Sequence, residues 1–309
     1  MSDLNGKCVV VTGGIKPGIG RAIVEQIATD GGLSIALLAK DKHTDTDILI
    51  QKLRTEHQSD VRFIETDLTC QQSIKSSIDK VASLFGGIDV VIHAASAFIP
   101  IKSEDQSLIQ KYQLSNEVNN TSTLSLASAC FSYLKESKSP HFLNISPPIN
   151  LDSKLLAANI AYTASMYARS MLTIGLAHNT EWQKYHIRVN SLWPLKPSSD
   201  CNIMIYQSHM SKSQRQDTNS LMAESAHYIL KVGSEKWLVN GEFLYDEEVL
   251  EMVGVSFADL HRNDGHANHH HGMPGQQMGH HSNTHRSKQA GYIHQHIPSH
   301  HHDDDDTYI

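Results

Sequence analysis

Cysteine is scarce in this chain, with 4 in 309 residues: Cys8, Cys70, Cys130 and Cys201. They are far apart and form no CxxC pair, which argues against a disulfide framework or a thiolate metal site. Buried or incidental thiols in a reducing compartment are the expectation. Long hydrophobic runs are missing as well. No stretch of about 18 apolar residues occurs, so no spanning helix is expected. Positive charge is not in excess: 26 Lys and Arg stand against 33 Asp and Glu, a net charge of −7. No basic face is offered to nucleic acid or to an anionic membrane. The start, MSDLNGKCVVVTGG, leaves no room for a signal or transit peptide, and the end, DDDDTYI, is not an SKL-type address. A cytoplasmic location is the expectation. No internal repeat is visible before residue 260.

Two kinds of sequence remain. From His261 onward the chain holds 13 of its 21 histidines and few aliphatic residues. Such a segment cannot bury enough apolar surface to offset its ordering entropy, so 262–309 reads as a disordered His-rich tail after a folded domain at 1–261. Neutral imidazoles can chelate Zn²⁺, Cu²⁺ or Ni²⁺. No fixed tetrahedral spacing appears, and no metal site is assigned.

Within the folded domain, apolar runs alternate with helical patterns. KCVVVT (7–12), LSIALLA (33–39), VRFIET (61–66), IDVVIHAAS (88–96), HFLNIS (141–146), IRVNSLW (187–193) and WLVNGEFLY (237–245) read as strands. Between them lie helical segments, among them GIGRAIVEQIATDG, a broken pair over 104–136, and ANIAYTASMYARSMLTIGLAHNTEW read as one long helix. Continuous apolar strands joined by helices imply parallel βαβ units buried on both faces. The expected fold is α/β, a Rossmann-like doubly wound, mostly parallel seven-stranded sheet. Its ligand crevice lies at the carboxyl ends of the strands, where strand order reverses.

The first strand-to-helix turn reads TGGIKPGIG, Thr12 to Gly20. Glycines there let the backbone approach a pyrophosphate, and the helix N-terminus supplies N–H groups and partial positive charge. With TG…GIG on this turn, NIS closing the fifth strand and Tyr162 on the long helix, residues 5 to about 260 resemble the short-chain dehydrogenase/reductase family. Close relatives often continue into a sterol-carrier domain, which the tail does not resemble. The resemblance implies a nicotinamide cofactor held by Thr12, Gly13, Lys16, Gly18, Ile19 and Gly20, by Lys40, by Asp67 and Leu68, and by Ala94 and Ala95. The turn carries one more residue than the family's TGxxxGxG, and Pro17 beside it is expected to reshape it. After the second strand comes AKD (39–41); an acid at the strand's end would bond a ribose 2′-hydroxyl, but that position is Ala39, followed by Lys40, and Lys40 with Lys16 points to NADP, with NAD as the alternative. Lys40 reads equally as a solvated surface lysine, and His93 as a core histidine.

The resemblance also implies the catalytic set: Tyr162 as proton donor and acceptor, Asn119 holding a relay water, and Ser146 as the nearest hydroxyl to the usual serine, whose place holds Pro147. A phenol has an ordinary pKa of about 10, and the family lowers it with a Lys at i+4, one helical turn away on the same face. Here that position is Met166. Arg169, about 10 Å along a straight helix from Tyr162, could share the face of Tyr162 and Met166 as a surrogate cation, but a solvated side chain is the preferred reading. The leading expectation is an NADP(H)-dependent oxidoreductase of carbonyl or hydroxyl groups on lipid-like small molecules, with impaired catalysis and a homo-oligomeric state paired through 104–136 and 158–183. The alternatives are a non-catalytic cofactor-binding relative and a metal-responsive protein acting through the tail. Mitochondria and peroxisomes are the compartments the resemblance adds.

Overall fold

A computed structural model describes residues 4–99, 107–151, 153–194, 212–231 and 240–255. The tail, the assigned start of the seventh strand and the segment 195–211 lie outside these. The order begins β1 (Cys8–Thr12), α1 (Ile19–Ala28), β2 (Ser34–Ala39), α2 (Thr46–His57), β3 (Asp60–Glu65), α3 (Gln71–Phe85) and β4 (Val90–His93). It continues with α4 (Leu108–Asn116), a π-helical turn (Glu117–Thr121), α5 (Ser122–Leu134), β5 (His141–Ile145) and α6 (Ser153–Ala158). Then come α7 (Ile160–Ala177), α8 (Thr180–Lys184), β6 (Arg188–Trp193), α9 (Lys212–Lys231), β7 (Phe243–Tyr245) and α10 (Asp246–Met252).

The seven strands pair in the order β3-β2-β1-β4-β5-β6-β7, every pair parallel. Alternation along each strand feeds two cores. Val9, Val11, Ile35, Leu37, Val90 and Ile92 face one, with Ile23, Val24 and Ile27 of α1. Cys8, Val10, Ala36, Leu38 and Val91 face the other, with Ile74, Ile78 and Val81 of α3 and Leu126 and Cys130 of α5. Each such buried aliphatic side chain contributes about 1.5–3 kcal/mol. Strand order reverses between β1 and β4, so a crevice opens above their carboxyl ends.

The helix read as continuous over 158–182 is instead two. α7 ends at Ala177, and Asn179 caps α8 by accepting from Glu181 N and Trp182 N. A side-chain oxygen that satisfies free first-turn N–H groups favours a new start over continuation.

Candidate active site

The crevice is a cleft of about 760 Å³ that runs across the β1–β4 switch point. Its middle is the glycine turn. Gly13 sits at φ 75, and a Cβ there would meet Ala95 N at 2.6 Å, so β1 and the end of β4 can approach only at glycine. Ile15 in the enlarged turn is buried in the core, while Lys16 and Pro17 face out. The fold thus absorbs the extra residue by burying an isoleucine. Gly18 is the N-cap of α1; no side chain caps that helix, and a Cβ on Gly18 would meet nothing within 4 Å. First-turn N–H groups have no intrahelical acceptor, so an open cradle for an anion lies over them.

At one end of the cleft stand Lys40, Asp67, Leu68 and Thr69. Lys40 Nζ lies 2.9 Å from Asp67 Oδ2, which brings two of the expected cofactor residues into one pair. The Thr69 hydroxyl, then Lys40, bond the Asp67 carboxylate and hold its pKa down to about 2. Gly13, Lys16, Gly18, Ile19, Gly20, Ala94 and Ala95 also line the cleft. Thr12 is fully buried and braces the site: its hydroxyl is 2.6 Å from His93 Nδ1 and accepts from Ala95 N at 3.2 Å. His93 is closed off by Ser122 Oγ at 3.0 Å on its other nitrogen. Burial, then the Arg169 charge, push its pKa well below the ordinary value, so it is a neutral core histidine.

The other end is apolar, with Leu114, Val118, Ile145, Met166 and Trp193 around Tyr162. Tyr162 is 2% exposed. Its backbone N–H is held by Asn159 Oδ1 at 3.2 Å, and Asn159 Nδ2 donates to Ile99 O at 3.0 Å. Phe98 packs edge-on to the phenol ring, centroids 5.3 Å apart. The hydroxyl bonded to the phenol is that of Ser96. Burial raises the phenol pKa above its ordinary value; the Arg169 charge and the Ser96 bond pull the other way without cancelling it.

Ser146 does not reach this end. It is fully buried, its hydroxyl 2.9 Å from Ser191 Oγ, and it is absent from the cleft wall. Pro147 after it carries no hydroxyl, so Ser96 on β4's extension is the serine at the phenol. Asn119 is fully buried in the π-helical turn. Its side chain accepts from Ala97 N at 2.7 Å and donates to Ala97 O at 3.1 Å and Ser165 Oγ at 2.9 Å. A π turn shifts the ladder by one residue and frees carbonyls; here the freed ones are taken by side chains.

Arg169 takes two of them. It is fully buried, not solvated as its sequence setting implies. Nε donates to Asn119 O at 2.5 Å and Nη1 to Ile145 O at 3.2 Å. Nη2 donates to Ala95 O at 2.8 Å and Val118 O at 3.4 Å, and Nη1 approaches His93 O at 3.5 Å. Hydrogen bonds to a charged group contribute about 1.5–3 kcal/mol each, which offsets the desolvation that brings its pKa down to about 10. The spacing of seven from Tyr162 was the one signal in the sequence that these two share a face. Ser96, Phe98, Asn159 and Trp193 carried no signal before the loops were placed.

A parallel sheet in this order, a glycine turn over the switch point and a buried tyrosine beside it define a dinucleotide-dependent oxidoreductase fold. The short chain dehydrogenase family model matches residues 7–207, and the chain belongs to that family. Among curated relatives it is 30% identical over 260 residues to hydroxysteroid dehydrogenase-like protein 2 of Bos taurus, and likewise 30% to that of Homo sapiens. Both alignments cover 82% of this chain and 60% of the relative, so the chain spans less than two thirds of their length. A solved short chain dehydrogenase from Mycobacterium thermoresistibile superposes with a TM-score of 0.68 at 27% identity, covering 82% of this chain and 89% of that one. Among the described residues no helix is long and apolar enough to cross a membrane, and no group of His, Cys, Asp or Glu is placed to hold a metal.

Proposed function

We propose that the chain is an NADP(H)-dependent oxidoreductase that interconverts a carbonyl and a hydroxyl on an apolar, lipid-like small molecule, at a rate limited by the loss of a lysine at position 166. The observation that carries this reading is the two-ended cleft. A cation–carboxylate pair stands at one end, an open glycine cradle in the middle, and a buried phenol among apolar side chains at the other. The cradle at Gly18 fits a pyrophosphate, and the residues fit a nicotinamide dinucleotide. Such a cofactor supplies or accepts the hydride when bound. The end position of β2 is Ala39 rather than an acid, and Lys40, 70% exposed, is free to swing from Asp67 to a 2′-phosphate, although Asp41 also lines this end of the cleft. Tyr162 gives its proton to the substrate oxygen in reduction and takes it back in oxidation. Asn159 anchors the backbone of Tyr162, Phe98 packs against its ring, and Ser96 orients the hydroxyl. Leu114, Val118, Ile145 and Trp193 exclude water there and select an apolar substrate. Exposed Leu124 on α5 and Met171 and Ile174 on α7 support homo-oligomer formation through these helices.

Met166, only 1% exposed where the family places a lysine, favours a second reading, a cofactor-binding protein without turnover. Calorimetric titration of the full chain with NADPH and NADH, followed by a carbonyl screen, separates the two. Micromolar NADPH binding at least ten times tighter than NADH, reversed in preference by Lys40→Glu, with slow reduction of apolar ketones or aldehydes, is the expected outcome. Binding without turnover selects the second reading. No binding of either nucleotide at millimolar concentration overturns both.

A further inference from the structure

Arg169 is a buried cation without a counter-ion. Five backbone carbonyls surround its guanidinium, and among the described residues no carboxylate pairs with it. Carbonyl dipoles solvate such a charge but do not neutralise it, so a positive potential remains in a low-dielectric setting. The ionisable groups that share this setting are few. His93 on β4 is neutral. Leu114 of α4 and Val118 and Asn119 of the π-helical turn bring no charge to the phenol, and among the described residues Arg169 is the charge that acts on it. Seven residues on a helix advance about two turns and return to the same face. A long helical side chain points back toward the N-terminus, so the guanidinium of Arg169 leans toward the level of Tyr162. The two heads converge on consecutive residues: Nη2 bonds Ala95 O at 2.8 Å, and the phenol bonds the Ser96 hydroxyl. Between them on the face lies the thioether of Met166, which keeps water out.

We infer that Arg169 is a positioning residue that supplies this site's cation: from two turns along α7 it stabilises the Tyr162 phenolate electrostatically, a task residue 166 cannot perform. The inference rests on the reading of Tyr162 as proton carrier but does not need turnover to be tested. When the phenol O–H bond breaks and the proton passes to the substrate oxygen, the phenolate left behind balances the buried guanidinium, and the pair is neutral until the proton returns. The backbone frame that orients the cation includes residues 95, 118 and 145, which also line the cleft, so charge and geometry are set together.

The test is a spectroscopic titration of the phenol in the full chain without cofactor, with a ring-fluorinated tyrosine built in at position 162 so that the phenol ionises while the guanidinium, at about 10, still carries its proton, and assigned by subtracting the trace of Tyr162→Phe. Arg169→Gln is expected to raise the midpoint by about one pH unit or more, and Arg169→Lys to leave it within about half a unit. An unmoved midpoint in a folded Arg169→Gln chain overturns the inference, whatever the chain's activity. Because Arg169 braces five carbonyls, the neutral variant can fail to fold. A second measurement therefore leaves it in place: the ¹³C signal of the Arg169 guanidinium is followed with pH in the chain carrying the ring-fluorinated Tyr162, below the guanidinium's own titration. A step at the phenol's midpoint that vanishes in Tyr162→Phe is expected; a flat trace overturns the inference. Loss of all turnover with both titration results as expected would overturn the oxidoreductase reading alone.

Discussion

The phenol of Tyr162 sits at the balance of two opposed effects, and burial wins. It favours the neutral form, and the Arg169 charge and Ser96 bond recover only part of the loss. A group whose folded pKa lies above its ordinary value of about 10 is fully protonated at pH 7. Proton donation therefore needs no titration, whereas proton abstraction needs the rare phenolate. Carbonyl reduction should be flat from pH 6 to 9, while alcohol oxidation rises about tenfold per pH unit over the alkaline part of that range. Met166→Lys should shift the alkaline limb down by about one unit or more and raise oxidation at neutral pH about tenfold. Initial rates in both directions against pH check this; an oxidation rate flat from pH 7 to 9 would remove Tyr162 as the base. The place of this residue was legible through the family resemblance, which sets a tyrosine on the helix after NIS. The fate of Arg169 was not. Whether an arginine at i+7 meets solvent or carbonyls depends on a π turn fifty residues earlier.

That turn is where local pattern and tertiary structure meet at the scale of elements. SNEVNN was legible as a break in helical material, but not as a π turn. The distinction depends on where Asn119's side chain finds partners, and Ala97 and Ser165 are remote in sequence. The strands were legible because parallel strands buried on both faces read as unbroken apolar runs. The division between α7 and α8 was available in the HNT stretch but lost to the apolar period running through it. Asn119→Ala leaves Ala97 N–H, Ala97 O and Ser165 without their partner in a buried place. With about 1–3 kcal/mol for each stranded group, less what relaxation recovers, the variant should lose about 3 kcal/mol. For a domain of this size that is a fall in Tm of about 6–12 °C. Asn120→Ala, which removes one bond to the Asn116 side chain on a partly buried surface, should cost a small fraction of this. Thermal melts of the two variants side by side make the comparison, and equal losses would mean that the turn is held by packing rather than by the Asn119 amide.

Two histidines couple the whole molecule to pH. His93 on β4 links Thr12 of β1 to Ser122 of α5, and His141 on β5 is 3.1 Å from the Asn190 side chain of β6. Both are fully buried, and burial first, then nearby basic groups, place their pKa values well below the ordinary one. The unfolded chain takes up a proton at each near pH 6.5; the folded chain does not until far lower pH. Stability is therefore complete above about pH 6.5 and is lost as pH falls, by about 1.4 kcal/mol per unit for each histidine. The carboxylates held low, Asp45 and Asp67, have pKa values down to about 2 and begin to matter only below their ordinary range near 4. Among the described residues the window from pH 6.5 to 5 is thus set chiefly by the two histidines, which stand on the central strands joining both cores, against the opposite effect of Glu248, whose carboxyl pKa burial raises. Denaturant unfolding at pH 7, 6 and 5 should show a falling midpoint with unchanged m. His93→Asn, which keeps a hydrogen-bonding side chain between Thr12 and Ser122 but cannot take up a proton, should roughly halve the slope. A midpoint independent of pH across this window would mean that the folded chain accommodates imidazolium in its centre, and the Arg169 charge beside His93 makes that arrangement costly.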